Sequence, residues 1–207
     1  QIQLSTKWAG KTGSRATVSA RVKDSLGRGL LEEDLEVMLA RGQNHFSLPM
    51  PSFATGLHYL EFILATDDGI ENWATRSFRV TGQDEIIRVK AASEYWERGE
   101  DVSVQVEFRD PVRKPAKLGA RLRDTNGRVY RAHVLDLVET ATVFDFTIPV
   151  DRPTTLASYI EVELVRGGEV ISYGDDIVYV PKRDFDEFIS VLWCMIPNER
   201  VGQVALR

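Results

Sequence analysis

The sequence predicts an all-β protein built as two antiparallel β-sandwiches in tandem, with a short strand-helix remnant of a following domain at its C-terminal end. Three observations carry this. Apolar and polar residues alternate along short runs, the runs are separated by turn residues with no amphipathic helix between them, and part of the strand plan of the first half recurs in the second. At 207 residues the chain exceeds one ordinary sandwich of about 100 residues and suits two plus a remainder. The domains expected are 1–81, 85–181 and a connector with the start of an α/β domain at 182–207.

In the first half, Ser14 to Asp24 places Ala16, Val18, Ala20 and Val22 on one face with polar residues opposite, the period of two of a half-buried strand. Similar runs follow at Leu35 to Leu39, Leu57 to Leu64 and Trp73 to Val80. Between them, Glu32, Glu33 and Asp34 read as a solvated loop, with a short helical turn as the alternative. Thr81 to Glu85 is the natural joint. In the second half the strands are Asp101 to Phe108, Leu118 to Leu122, Arg128 to Leu135, Val143 to Ile148, Tyr159 to Val165 and Val170 to Val180. Asn126-Gly127 predicts a two-residue hairpin turn with positive φ at both central positions.

The halves match at Tyr59-Leu60-Glu61-Phe62-Ile63-Leu64 with Tyr159-Ile160-Glu161-Val162-Glu163-Leu164, and at Arg76 to Val80 with Asp176 to Val180. A further match of pattern aligns Thr17 to Asp24 with Ser103 to Asp110, which makes these the same strand of the plan. Beyond Pro181 comes a charged connector, then Phe188 to Trp193, an apolar run of the kind buried on both faces. Asn198 can cap a helix bearing Val201, Val204 and Ala205. The first residue is not methionine and the last falls inside a helical pattern, so a segment of a longer protein is expected.

Composition excludes several classes. The formal net charge of -5 argues against a general affinity for a nucleic-acid backbone or an anionic membrane. No apolar run approaches the roughly 18 residues of a membrane helix. The single cysteine, Cys194, cannot form an internal disulfide and reads as an inert buried thiol. The histidines His45, His58 and His133 are scattered, so no metal or cofactor is expected. Asp67-Asp68-Gly69 with Glu71 and Asn72 lacks the ordered alternation of a calcium loop and reads as a turn. Asp175-Asp176 reads as a guard against sheet-to-sheet pairing. Glycoside hydrolysis needs two carboxylates flanking a sugar bond at about 5 Å or about 6.5–9.5 Å. No such pair can be chosen among the acidic residues, so no catalytic residue is named.

The ligand candidates are aromatics. Trp8, Trp73, Tyr95 and Trp96 fall at strand ends or turns, where an exposed ring can stack on a sugar. Trp96 leads because Glu97 and Arg98 follow it; the competing reading is that these rings plug the sandwich ends or the joint.

The run Tyr95-Trp96-Glu97-Arg98-Gly99-Glu100-Asp101-Val102, and later Phe144-Asp145-Phe146-Thr147-Ile148-Pro149 before Tyr159, resemble bacterial immunoglobulin-like, fibronectin-type or macroglobulin-type modules. A sandwich pair leading into a strand-helix segment also resembles the ancillary region ahead of the catalytic barrel of β-galactosidase-like glycoside hydrolases. That resemblance implies a non-catalytic accessory module of an extracytoplasmic bacterial enzyme, its partner being the following catalytic domain of the same chain. The rivals are a carbohydrate-binding module and a repeat unit of an adhesion or scaffold protein.

Overall fold

The structure, a computed structural model, describes residues 2–151, 153 and 155–181. The strand and helix expected between Phe188 and Arg207, and Cys194 with them, lie outside the described residues. Within the described residues the regular structure is entirely β. The first half contains β1 (Ile2–Trp8), β2 (Ser14–Asp24), β3 (Gly29–Leu39), β4 (Gly42–Leu48), β5 (Gly56–Thr66) and β6 (Gly69–Val80). The second contains β7 (Ile86–Ala91), β8 (Asp101–Phe108), β9 (Lys117–Asp124), β10 (Val129–Asp136), β11 (Val143–Pro149), β12 (Ala157–Arg166) and β13 (Glu169–Tyr179).

All the strand pairs are antiparallel. The first half sets the sheet β3-β2-β5-β6 against the pair β1-β4; the second sets β10-β9-β12-β13 against β11-β8-β7. Three strands facing four is the layout of an immunoglobulin-like sandwich. The alternation that predicts β2, β8 and β9 is the alternation that buries them: Ala16, Val18, Ala20 and Val22 in β2, then Val102, Val104, Val106 and Phe108 in β8, point inward. Each such Val or Leu contributes about 1.5–3 kcal/mol when fully buried.

The buried residues form two separate clusters. The larger joins Val102, Val104 and Phe108 to Leu118, Leu122, Ile148, Ile160 and Leu164, with Ile86, Val89 and Ala91 of β7 among them. The smaller gathers Ala16, Val18, Leu39 and Leu64, with Leu4, Trp8 and Phe46 only partly buried against it. The difference in size follows β7: among the described residues no strand pairs with β1 as β7 pairs with β8.

The two halves share one register. Ile2 opposes Leu48 as Val102 opposes Ile148, Asp24 opposes His58 as Asp124 opposes Ser158, and Leu64 opposes Asn72 as Leu164 opposes Ser172, each pair displaced by 100 positions. The irregularity after Leu64 recurs after Leu164. β5 therefore matches β12, as the Tyr59 and Tyr159 runs predict. The alignment of Thr17 to Asp24 with Ser103 to Asp110 is corrected: β2 takes the place of β9, and β8 that of β1. Alternation alone cannot tell one inward-facing strand from another, because all share a period of two.

Three further expectations change. Glu32, Glu33 and Asp34 lie in β3, their charge tolerated because the strand is at a sheet edge and Arg21 pairs with Glu32. Asn126-Gly127 does lie between paired strands, but only Gly127 has positive φ, at 85°. The turn has three residues instead of two: Gly127 N–H closes on Asp124 O and Asp124 N–H on Arg128 O, both at 3.0 Å, and the Asp124 carboxylate accepts the N–H groups of Asn126 and Arg128. Asp175 and Asp176 lie inside β13 and bind groups of other elements, as described below.

Candidate functional site

The four candidate aromatics divide into two kinds. Trp8 and Trp96 are partly buried against their respective cores. Each has its indole N–H on a nearby carbonyl, Trp8 on Lys11 at 3.1 Å and Trp96 on Ser93 at 2.8 Å. Trp73 on β6 and Tyr95 in the β7–β8 loop are the exposed pair, 68% and 67% accessible. Tyr95 lies 5.6 Å from the ring of Tyr179, and its loop is tied to the end of β13 by Trp96 N–H to Tyr179 O at 3.0 Å and Tyr179 N–H to Glu94 O at 2.7 Å. Among the described residues no aromatic ring contact joins any of the four to another.

The densest assembly of polar side chains lies where the two halves meet. It starts from a turn used twice. In Asp24-Ser25-Leu26-Gly27-Arg28 and Asp124-Thr125-Asn126-Gly127-Arg128, the buried aspartate accepts the arginine N–H at 2.9 Å and the glycine takes a positive φ, 80° and 85°. In both turns the aspartate also pairs with the arginine side chain. The first turn faces the second half. Arg28 forms an ion pair with Glu163 and lies over the Tyr173 ring, 5.5 Å from its centroid, and Ser25 donates to Asp175 at 3.0 Å.

Tyr173 is the pivot. Its ring is buried, its hydroxyl donates to the Leu57 carbonyl at 2.6 Å, and the ring meets His58 edge-on at 5.6 Å. A Cβ on Gly56 would come within 2.8 Å of that ring, so Gly56, at φ 144°, is what lets the two halves approach. His58 is fully buried, stacked on Phe78 at 5.1 Å. Burial pushes its pKa below the usual histidine value despite the Gly56 carbonyl and Asp24, which favour the charged form. The neutral ring then carries its proton on Nδ1, which donates to Gly56 O at 3.1 Å. Backbone bonds complete the contact: Thr55 N–H to Ile171 O at 2.9 Å and Tyr173 N–H to Thr55 O at 3.3 Å.

The joint itself is anchored by two buried carboxylates. Asp84 takes φ 61° and binds Arg113 and Arg166; Glu85 binds Arg79 of the first half and Arg109 of the second. Burial alone would raise both pKa values, but the arginine hydrogen bonds outweigh it and hold both below the ordinary carboxylate range. Asp176 accepts the Ala91 N–H at 2.8 Å, and Ser172 Oγ accepts the Ile86 N–H at 2.8 Å, fastening β7 to β13.

These groups fix the position of the two halves through their mutual pairing. Glu161 and Glu163, neighbours on one face of β12, are occupied by Arg121, Arg123 and Arg28. Among the described residues no cluster of three or more His, Cys, Asp or Glu is arranged to hold a metal. Asp67 and Asp68 form the β5–β6 turn, where Thr66 Oγ donates to Glu71 at 2.8 Å. The junction was legible in part: the Asp-x-x-Gly-Arg turn appears at the same displacement as the Tyr59 and Tyr159 runs, but which turn faces a neighbour is decided only by the packing.

No family model matches the chain, and no curated protein matches it. Among solved structures it is similar to red sea bream transglutaminase, at 13% identity and a TM-score of 0.40, over 87% of this chain and 29% of that one. The chain thus spans under a third of that structure's length. The class defined here is an all-β, tandem-sandwich protein.

Proposed function

We propose that the chain is a non-catalytic spacer of a larger bacterial protein, with modules at 1–81 and 85–181 that hold a following catalytic domain at a set distance and orientation. The observation that carries this reading is the junction. Arg28–Glu163, Ser25–Asp175, Tyr173–Leu57 and Arg79–Glu85–Arg109 link the halves through side chains and backbone at once. Independent binding modules on a string have no need of such a joint, whereas a spacer does. The parent is proposed to be an extracytoplasmic glycoside hydrolase, supported by the sequence resemblance to the region ahead of such a barrel.

The test compares the parent polypeptide with this chain on chromogenic glycosides. The parent is expected to hydrolyse them and this chain to be inactive; hydrolysis by this chain, or none by the parent, refutes the assignment. Carbohydrate binding is the second reading, favoured by the exposure of Trp73 and Tyr95. Saturable glycan binding that Trp73→Ala or Tyr95→Ala removes would replace the spacer reading with it.

A further inference from the structure

In the second half, β7 pairs with the edge of β8, from Ile86 opposite Phe108 to Ala91 opposite Val104, and lies across β13. β13 is shaped for it: Gly174 leaves room for Ile86 and Val89, while Ser172 and Asp176 accept N–H groups of β7. The register displaced by 100 puts β1 in the place of β8 and β6 in that of β13. There the site is open. Among the described residues β1 pairs only with β4, so the edge from Leu4 to Trp8 is unpaired.

The inward face of β6 is correspondingly bare. Asn72, Ala74 and Arg76 stand where Ser172, Gly174 and Asp176 stand, aimed at the core side of the sheet, and all three are exposed. Phe62, also on that side, is only half-buried, as are Leu4 and Thr6, whose counterparts Val104 and Val106 are buried. A cavity of about 110 Å³ lies between them. A small residue at 74 with a hydrogen-bonding side chain at 72 is the arrangement that receives β7 at 174 and 172.

We infer that the β1 edge and the inner face of β6 form a docking slot for an extended strand, antiparallel to β1, with alternate apolar side chains filling the cavity beside Phe62. The occupant is polypeptide immediately upstream of β1 in the full-length protein, since the strand in the matching slot, β7, is the one directly upstream of β8. The slot completes a three-on-four sandwich and removes a free edge that would otherwise invite aggregation.

Hydrogen exchange tests this on the 207-residue chain and on the native polypeptide extended upstream as far as β7 reaches ahead of β8. In the shorter chain the outward amides of Leu4 to Trp8 exchange freely. Extension should slow them on the order of a hundredfold, and Ala74→Arg, harmless in the shorter chain because residue 74 is exposed, should abolish the slowing. Equal exchange in both chains overturns the proposal, as does slowing that survives Ala74→Arg. Protection already present in the shorter chain and rising with its concentration assigns the slot to a second copy and likewise overturns it.

Discussion

At Asp24 and at Asp124 a buried carboxylate gathers the N–H and the side chain of the arginine four residues on. The local chemistry is the same, while the surroundings differ: Arg28 continues to Glu163 and Tyr173, and Arg128 lies over Tyr130 at 5.8 Å. Removing a buried acceptor strands its donors, a cost of about 1–3 kcal/mol. Asp124→Ala is therefore expected to lower the urea unfolding free energy by about that amount, and Asp24→Ala by more, because the junction is lost with the turn. An Asp24→Ala cost smaller than that of Asp124→Ala would contradict the role given to the first turn. Among single residues, the sequence made the inward faces of β2 and β8 readable, since alternation is a property of the strand itself. It did not make Tyr173 readable, because a tyrosine in a strand looks the same whether it faces water or a neighbouring module.

At the scale of elements, β7 shows how a short strand decides the size of a core. Its Ile86, Val89 and Ala91 close the larger cluster, and its seat depends on Gly174, where a Cβ would lie 2.9 Å from methyl groups of both Ile86 and Val89. Those methyls belong to stiff β-branched side chains and cannot swing aside. Gly174→Ala is expected to destabilise the protein by about 1–3 kcal/mol through overpacking, read from the thermal or urea midpoint. A neutral outcome would mean that β7 is not tightly seated. β1, β4 and β7 escaped the sequence pattern: β1 sets Thr6 between Leu4 and Trp8 on its inward face, β4 carries Asn44 there, and β7 interrupts its alternation between Ile86 and Arg88. They become strands because neighbouring strands offer edges to pair with, which is tertiary information.

For the molecule as a whole, the junction makes stability depend on pH: His58, Asp84 and Glu85 withdraw stability as pH falls, while Asp175, whose folded pKa burial raises above the ordinary value, opposes the two carboxylates in the acid range. His58 is held neutral, its folded pKa below the 6.5 of the free side chain. As pH falls through 6.5 the unfolded chain takes up a proton before the folded one does, so stability declines. Asp84 and Glu85 have folded values below their ordinary 3.8 and 4.5. Their contribution is fully present above those values and is lost as pH falls below them toward the folded values. Unfolding free energies measured between pH 8 and pH 3, a span of about five units, should therefore decline first near 6.5 and again near 4. His58→Phe should flatten the upper step alone, as Phe53 and Phe78 already supply an apolar setting for the ring. An unchanged upper step in that variant would remove His58 from the account.

The sequence by itself determined the all-β class, the inward faces of the main strands and the kinship of β5 with β12, because side-chain alternation and turn chemistry are local properties of the chain. Only the tertiary structure decided that β2 stands with β9, that the acidic run at 32–34 is a strand, and that the joint is bolted by Asp84, Glu85 and Tyr173. Those outcomes depend on which edges meet and which charges lose water together, and both are set by groups far apart along the chain.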